Sequence, residues 1–313
     1  MKVAILTNSK LSVPALDFLA ARKMLVAVGL PAREDKTEDA DHIAFTAAHH
    51  QVPLATFDRP GFKGSLSEWI ALHKPDVVLV FTFPFKIPVD CLNLPARGFI
   101  NFHFGLLPEY RGADAIFWQI RNRASEGGVS VHQMNEEIDK GRIYFVHKIP
   151  LTPADTYGSH LLNLSFAGVA AAEKLLQLLA SGTQPSIEQD ESKAAYYKRP
   201  ALRDVEIDWS QPAADIIALI NACNPWNKGA VAYLNQYPIK IIAASMHSAR
   251  SPQDVKPGTI ILVDINKGCV VHCGSGESIN LDILFCNDSF ITGFQFASLG
   301  ISQGMRFEKL TVG

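Results

Sequence analysis

The segment INFHFGLLPEYRG (residues 100–112) closes an apolar run with an Asn and a His two positions apart, then turns through Leu-Leu-Pro into Tyr-Arg-Gly. In an extended strand, side chains two apart share a side, so Asn101 and His103 project together while Ile100 and Phe102 pack on the other face. An imidazole, with a reference pKa near neutrality, can stabilise negative charge and move protons. A primary amide can donate N–H to an oxygen that gains charge during a reaction. A carboxylate follows in EEIDKG, where Asp139 precedes Lys140 and Gly141 after the run GVSVHQM. The plainer reading of Asn-x-His is a strand end closed by turn hydrogen bonds, because Asn bonds its own backbone and a neutral His satisfies one partner at each nitrogen.

Positioning such side chains requires a scaffold, and the flanking pattern supplies one. Residues 2–7, 24–30, 76–83 and 98–103 are short runs rich in Val, Ile and Phe, separated by helix-like stretches near 12–22, 40–50 and 66–73. Strand alternating with helix predicts a mostly parallel α/β sheet, whose ligand crevice lies beyond the carboxyl ends of the strands. The strand carrying Asn101 ends at His103. Residues 128–134 and 142–149 read as a hairpin across a turn near Asp139, and apolar spacing predicts a helix over 157–181, stopped by Gly182 with Pro185 beyond.

The mixed-charge stretch 183–205, with Pro185 and Pro200, reads as a linker. Beyond it, a helix at 213–223 and short strands at 229–234, 238–245, 258–265, 269–273 and 279–285 predict a small β-barrel. At 313 residues the chain suits two domains: 1–190, a linker at 191–206, and 207–313. The 29 basic and 31 acidic residues leave no overall field to attract nucleic acid or an acidic membrane. No apolar run is long enough to span a bilayer, and MKVAIL reads as a first buried strand rather than a signal peptide. Five cysteines in apolar surroundings suggest buried thiols in a reducing, cytoplasmic setting. CVVHC (residues 269–273) lacks the paired spacing of a zinc motif and reads as a strand, so no metal is expected, and no Gly-x-Gly-x-x-Gly or phosphate-binding Lys-Ser/Thr motif points to NAD or ATP.

Taken together, N-x-H-x-x-L-L-P-x-Y-R-G, then G-V-S and D-x-G, resemble the folate-dependent formyltransferase family, whose branches act on methionyl-tRNA, glycinamide ribonucleotide and amino sugar nucleotides. YYKRPALRDVEIDW (residues 196–209) and NPWNKGA (residues 224–230) extend the resemblance into the family's C-terminal domain. The resemblance implies a Rossmann-like catalytic domain over residues 1–190 followed by an OB-like β-barrel. It implies 10-formyltetrahydrofolate as formyl donor and transfer to a primary amine through a tetrahedral intermediate. By the same resemblance Asn101, His103 and Asp139 form the catalytic trio, with Asp139 either holding His103 charged and oriented or accepting the amine proton through water. Folate would be bound through two loops, one with Phe83, Pro84, Phe85, Lys86 and Ile87, the other with Glu137, Ile138 and Asp139. Phe83 and Phe85 could pack on the pterin or serve as core aromatics at a strand end.

The chain departs from the family pattern at two places. Gly105 stands where members commonly have Ser, and Pro225-Trp226-Asn227-Lys228-Gly229-Ala230 replaces the usual Pro-x-Pro-Gly-Ala. For the acceptor, the stretch PAREDKTEDAD (residues 31–41) matches the position where the tRNA-directed branch carries a basic insertion, yet it holds two basic against five acidic residues. Residues from 196 onward hold ten of each sign. Affinity for nucleic acid depends on neutralising phosphates, so a small amine, such as an amino sugar nucleotide, is the favoured acceptor and methionyl-tRNA the alternative. A silent folate-binding protein is a second alternative, kept open by Gly105. Tyr110, Arg111 and Lys140 are candidate acceptor contacts; Arg111 could instead form a structural salt bridge and Lys140 be an ordinary loop lysine. The enzyme is expected to work as a monomer or homodimer.

Overall fold

The computed structural model describes residues 1–32, 37–182, 186–248 and 254–309. Arg33, Glu34, Asp35 and Lys36 of the acidic stretch, and Pro185 of the expected linker, lie outside the described residues. In the amino-terminal part the strands are β1 Val3–Thr7, β2 Leu25–Pro31, β3 Leu54–Phe57, β4 Val77–Phe81, β5 Phe99–His103, β6 Arg111–Gly112, β7 Glu126–Gln133, β8 Ile143–Pro150 and β9 Tyr196–Tyr197. One seven-stranded sheet runs in the order β3-β2-β1-β4-β5-β7-β8. The first five of these strands are mutually parallel, whereas β7 is antiparallel to β5 and to β8. The expected hairpin is thus the antiparallel margin of a mostly parallel sheet.

Central strands β1 and β4 are apolar except for Thr7 and buried along their length, the pattern of a sheet covered on both faces. Edge strand β3 exposes Leu54 and buries only Phe57, so its four residues carry too weak a pattern to be read from sequence. Helices α1 Val13–Ala21, α2 Glu38–His49 and α3 Phe62–His73 alternate with the first strands. The Thr37 side chain accepts a hydrogen bond from the Ala40 amide at the start of α2, and Glu38, Asp39 and Asp41 fill its first turn. Negative charge there complements the helix dipole, so three acidic residues of the 31–41 stretch have a structural role. Short helices α4 Val89–Leu92 and α5 Ala115–Arg121 precede the long α6 Tyr157–Ala180. Gly182 follows α6 at φ +74°, a left-handed conformation that suits glycine and ends the helix. Among the described residues no helix is long and apolar enough to cross a membrane.

Packing divides the chain into two compact units, one of Met1–Ala115, Glu126–Pro150 and Leu161–Tyr197, the other of Ile116–Ser125, Leu151–His160 and Lys198–Gly313. Residues 191–197, expected within a linker, are built into the first unit: β9 pairs in parallel with β6. The second unit contains α7 Leu202–Val205, α8 Ala213–Ala222 and α9 Gly293–Ala297. Its strands are β10 Ala230–Leu234, β11 Tyr237–Met246, β12 Ile260–Asp264, β13 Gly268–His272, β14 Ser278–Cys286, β15 Ser289–Thr292 and β16 Phe307–Glu308. They form an antiparallel sheet, β12-β13-β14-β11-β10-β16 with β15 on β14, curled into the half-barrel of an OB-like domain. CVVHC occupies β13 and its end, where burial pushes the Cys269 and Cys273 thiols up to about 12 and leaves them protonated.

Candidate active site

The carboxyl end of β5 holds Asn101 and His103, and β7 lies beside it in a register that sets Asn101 opposite His132 and His103 opposite Ser130. Residues directly opposite on antiparallel strands project to the same face, which brings a second imidazole to the pair. Asp139 follows β7 in a turn, at φ +56°, with its side chain nine-tenths buried.

Three groups converge on one oxygen of that carboxylate. Asp139 Oδ1 lies 3.4 Å from Asn101 Nδ2, 3.6 Å from His103 Nδ1 and 3.7 Å from His132 Nε2. The other oxygen, Oδ2, accepts the Gly112 amide N–H at 2.9 Å. Burial alone would raise the Asp139 pKa; the neighbouring imidazoles of His103 and His132 and the Gly112 amide outweigh it and hold the carboxyl well below the usual carboxylate range.

Backbone carbonyls fix the two rings. His103 Nε2 donates to the Tyr110 carbonyl at 2.6 Å, turning Nδ1 toward Asp139. His132 Nδ1 donates to the Gln133 carbonyl at 3.0 Å, leaving Nε2 to accept from Asn101 Nδ2 at 3.1 Å. The turn after His103 is tied to β7 by Ser130, whose buried hydroxyl donates to the Gly105 carbonyl at 2.6 Å and accepts the Leu107 amide at 3.0 Å. At Gly105 a Cβ would lie 2.7 Å from the Ala115 Cβ and 2.9 Å from His103 Nε2, so the ring and Ala115 fill the space a serine would need.

The remaining candidates divide. Phe83 and Phe85 are half-buried and pack on Phe62, with ring centroids 5.6 and 5.2 Å away, which makes them aromatics of the core cluster. Ile87 is buried in the same cluster, while Pro84 and Lys86 are exposed beyond β4, the strand next to β5. Glu137 is exposed and pairs with Lys140, the ordinary fate of a loop lysine. Ile138 stands 63% exposed immediately before the buried Asp139. Tyr110 stacks on Tyr197 at 5.3 Å. Of the two roles expected for Arg111, acceptor contact or structural salt bridge, the structure shows the salt bridge. Its side chain is fully buried and its guanidinium is committed to Glu191 at 2.6 and 2.9 Å, Gln189 at 2.8 and 3.0 Å, and Tyr196. His132 is a site residue that sequence reasoning missed. The alternation in GVSVHQM puts Ser130 and His132 on the face opposite Val129 and Val131, but only strand pairing shows that this face meets Asn101.

The donor chemistry fits this set. Exposed apolar Ile138 precedes Asp139 in its turn and exposed Pro84 lies just beyond the end of β4, while Asn101 and His103 bring N–H groups to the cluster. Residues 25–171 match the family described as Formyl transferase, and residues 202–289 match Formyl transferase, C-terminal domain. A methionyl-tRNA formyltransferase from Lachnospira eligens is 33% identical over 212 residues, covering 67% of each chain. The enzyme of that name from Nitrosomonas europaea is 31% identical over 285 residues, covering 90% of this chain and 86% of its own. Among solved structures, the N-formyltransferase from Helicobacter canadensis, in complex with folinic acid and dTDP-3-aminofucose, superposes with a TM-score of 0.68 at 18% identity. That superposition covers 90% of this chain and 98% of the other, and at such identity it speaks for the fold. These matches make the chain an enzyme of folate-dependent formyl transfer. The chain belongs to the formyl transferase family.

Proposed function

We propose that the protein transfers the formyl group of 10-formyltetrahydrofolate to the primary amine of a small acceptor, such as an amino sugar nucleotide. The observation that carries the reading is the convergence of Asn101, His103 and His132 on a single oxygen of Asp139. The folate supplies an activated one-carbon unit: as the amine nitrogen bonds the formyl carbon, the bond from that carbon to N10 breaks, and tetrahydrofolate leaves with N10 taking up the proton the amine gives up. Asn101 offers the donor for the oxygen that gains charge as the amine adds, and its 3.4 Å bond to Asp139 is the long one it gives up to do so. His103, oriented by the Tyr110 carbonyl, adds positive charge when it holds a proton on Nδ1. Asp139 balances that charge at 3.6 Å. A carboxylate held so far below its usual range is a weak base, which favours an electrostatic and orienting role for Asp139 over direct proton abstraction.

The small-acceptor reading rests on charge: residues 31–41 have a net charge of minus three, and residues 196–313 balance ten basic against ten acidic side chains. The identity of about one third to methionyl-tRNA formyltransferases favours a second reading, with methionyl-tRNA as acceptor. Mass spectrometry of reactions offering amino sugar nucleotides, free amines and charged methionyl-tRNA separates the two. A formylated small amine with unmodified tRNA supports the first reading. Formylated methionyl-tRNA whose binding falls steeply with salt supports the second.

A further inference from the structure

Asp139 is a non-glycine residue in the left-handed region, a conformation that persists only where the surroundings impose it. The surrounding bonds come from one side chain that the chemistry above does not use. Gln189 Nε2 donates to the carbonyl of Asp139 and to the carbonyl of Gly141, both at 2.8 Å. These bonds straddle the turn from either side of Lys140. On the far side, Gly141 is pressed against the end of β7, where a Cβ would come within 1.6 Å of the Gln133 carbonyl oxygen.

The amide of Gln189 is itself fixed. Its Oε1 accepts two N–H groups of Arg111, from Nε at 3.0 Å and Nη2 at 2.8 Å. The remaining guanidinium hydrogens go to Glu191, from Nη1 at 2.9 Å and Nη2 at 2.6 Å, and to the Tyr196 hydroxyl at 3.1 Å. All five guanidinium donors are therefore engaged, and Gln189 uses two donors and two acceptor positions, the full capacity of an amide. The residue after Arg111 is Gly112, whose N–H holds the Asp139 carboxylate. One buried arginine thus governs both ends of Asp139: its side chain reaches the main chain through Gln189, and its neighbouring amide reaches the side chain directly.

We propose that Gln189, locked by Arg111 and Glu191, is a positioning residue that sets the backbone of Asp139 and thereby aims its carboxylate at Asn101, His103 and His132. The proposal rests on the catalytic reading of Asp139 given above. Displacing a reacting group by about an ångström can cost on the order of 100-fold in rate without loss of substrate affinity. The turn would relax when Gln189 is replaced by methionine, which keeps length and loses every polar contact.

The test compares Gln189→Met, Asp139→Asn and the double variant in formyl transfer from 10-formyltetrahydrofolate to the acceptor found above. Thermal unfolding and tetrahydrofolate binding are measured on each. Positioning predicts that Gln189→Met lowers kcat by about 10- to 100-fold with KM for both substrates near wild type. It also predicts that Gln189→Met shifts the acidic limb of the kcat profile, and that adding it to Asp139→Asn costs little more, because both act on one group. Gln189→Glu, which keeps the Arg111 partner but turns a carboxylate toward two carbonyls, is expected to show the same kcat defect. Wild-type kcat and pH profile in Gln189→Met, with Asp139→Asn inactive, overturns the positioning role while sparing the catalytic one. Full activity of Asp139→Asn overturns the catalytic reading itself. A lowered melting temperature with unchanged kcat per folded molecule assigns Gln189 to stability alone and overturns the proposal.

Discussion

Asn101 of β5 faces His132 of β7 across an antiparallel pair, and the Asn101 amide nitrogen lies 3.1 Å from His132 Nε2. The imidazole can accept there because its Nδ1 hydrogen is spent on the Gln133 carbonyl. In the proposed mechanism His132 would fix the orientation of the Asn101 amide. His132→Ala is expected to lower kcat about 10-fold, and Asn101→Ala about 100-fold or more, the usual cost of removing one oxyanion donor. Steady-state kinetics with both substrates saturating checks the order; equal or reversed losses would contradict it.

Asp139→Asn keeps the shape of the side chain and removes its charge. Activity is expected to fall about 100-fold, since His103 Nδ1 loses the carboxylate that faces it at 3.6 Å. Stability changes in a pH-dependent way. The folded carboxyl titrates below its unfolded value, so it contributes stability that is complete above about pH 4 and lost as pH falls further. Urea unfolding of wild type and variant should diverge most near neutrality and converge in acid.

Gly105→Ser brings in the residue common in the family and is expected to impair this enzyme. The new Cβ would crowd the Ala115 Cβ and His103 Nε2, displacing the ring from the Tyr110 carbonyl. Pairing it with Ala115→Gly removes one of the two clashes. Partial recovery of kcat in the double variant over Gly105→Ser alone is the expected result, and an equally impaired double variant would show that crowding is not the cause.

His160, in the first turns of α6, is fully buried, and neither ring nitrogen has a hydrogen-bond partner among the described residues. Burial pushes its pKa down to about 4, against the weaker opposing charge of Asp155. The unfolded chain takes up this proton more readily than the folded one. His160 thus contributes a stability that is complete above about pH 6.5 and falls as the pH drops toward 4. Between pH 7 and 5 this single group accounts for roughly 2 kcal/mol, and His160→Leu should lose that slope in urea titrations at the two pH values.

The sequence exposed the scaffold where patterns were long or continuous. The helix expected over 157–181 is Tyr157–Ala180, and the strands expected at 238–245 and 279–285 lie within Tyr237–Met246 and Ser278–Cys286. Edge strand β3 escaped because its exposed residues erase the apolar run. Asn101, His103 and Asp139 could be singled out because their types and spacing form a motif, and the structure brings them together. The partners of the motif were not, because they arise from pairing: His132 through strand register, Gln189 through a contact fifty residues from Asp139. Arg111 shows the same limit. A lone arginine in a turn offers no sign of its counterion eighty residues onward.

The pairing of β6 with β9 carries a lesson for transplanting this catalytic unit into another protein. A graft that stopped at residue 190 would retain Asn101, His103, His132, Asp139 and Gln189, so every side chain at the centre would be present. It would lack Glu191 and Tyr196, leaving three of the Arg111 guanidinium hydrogens without the partners they have here. A graft that keeps these bonds therefore has to run through Tyr197, the last residue of the first compact unit.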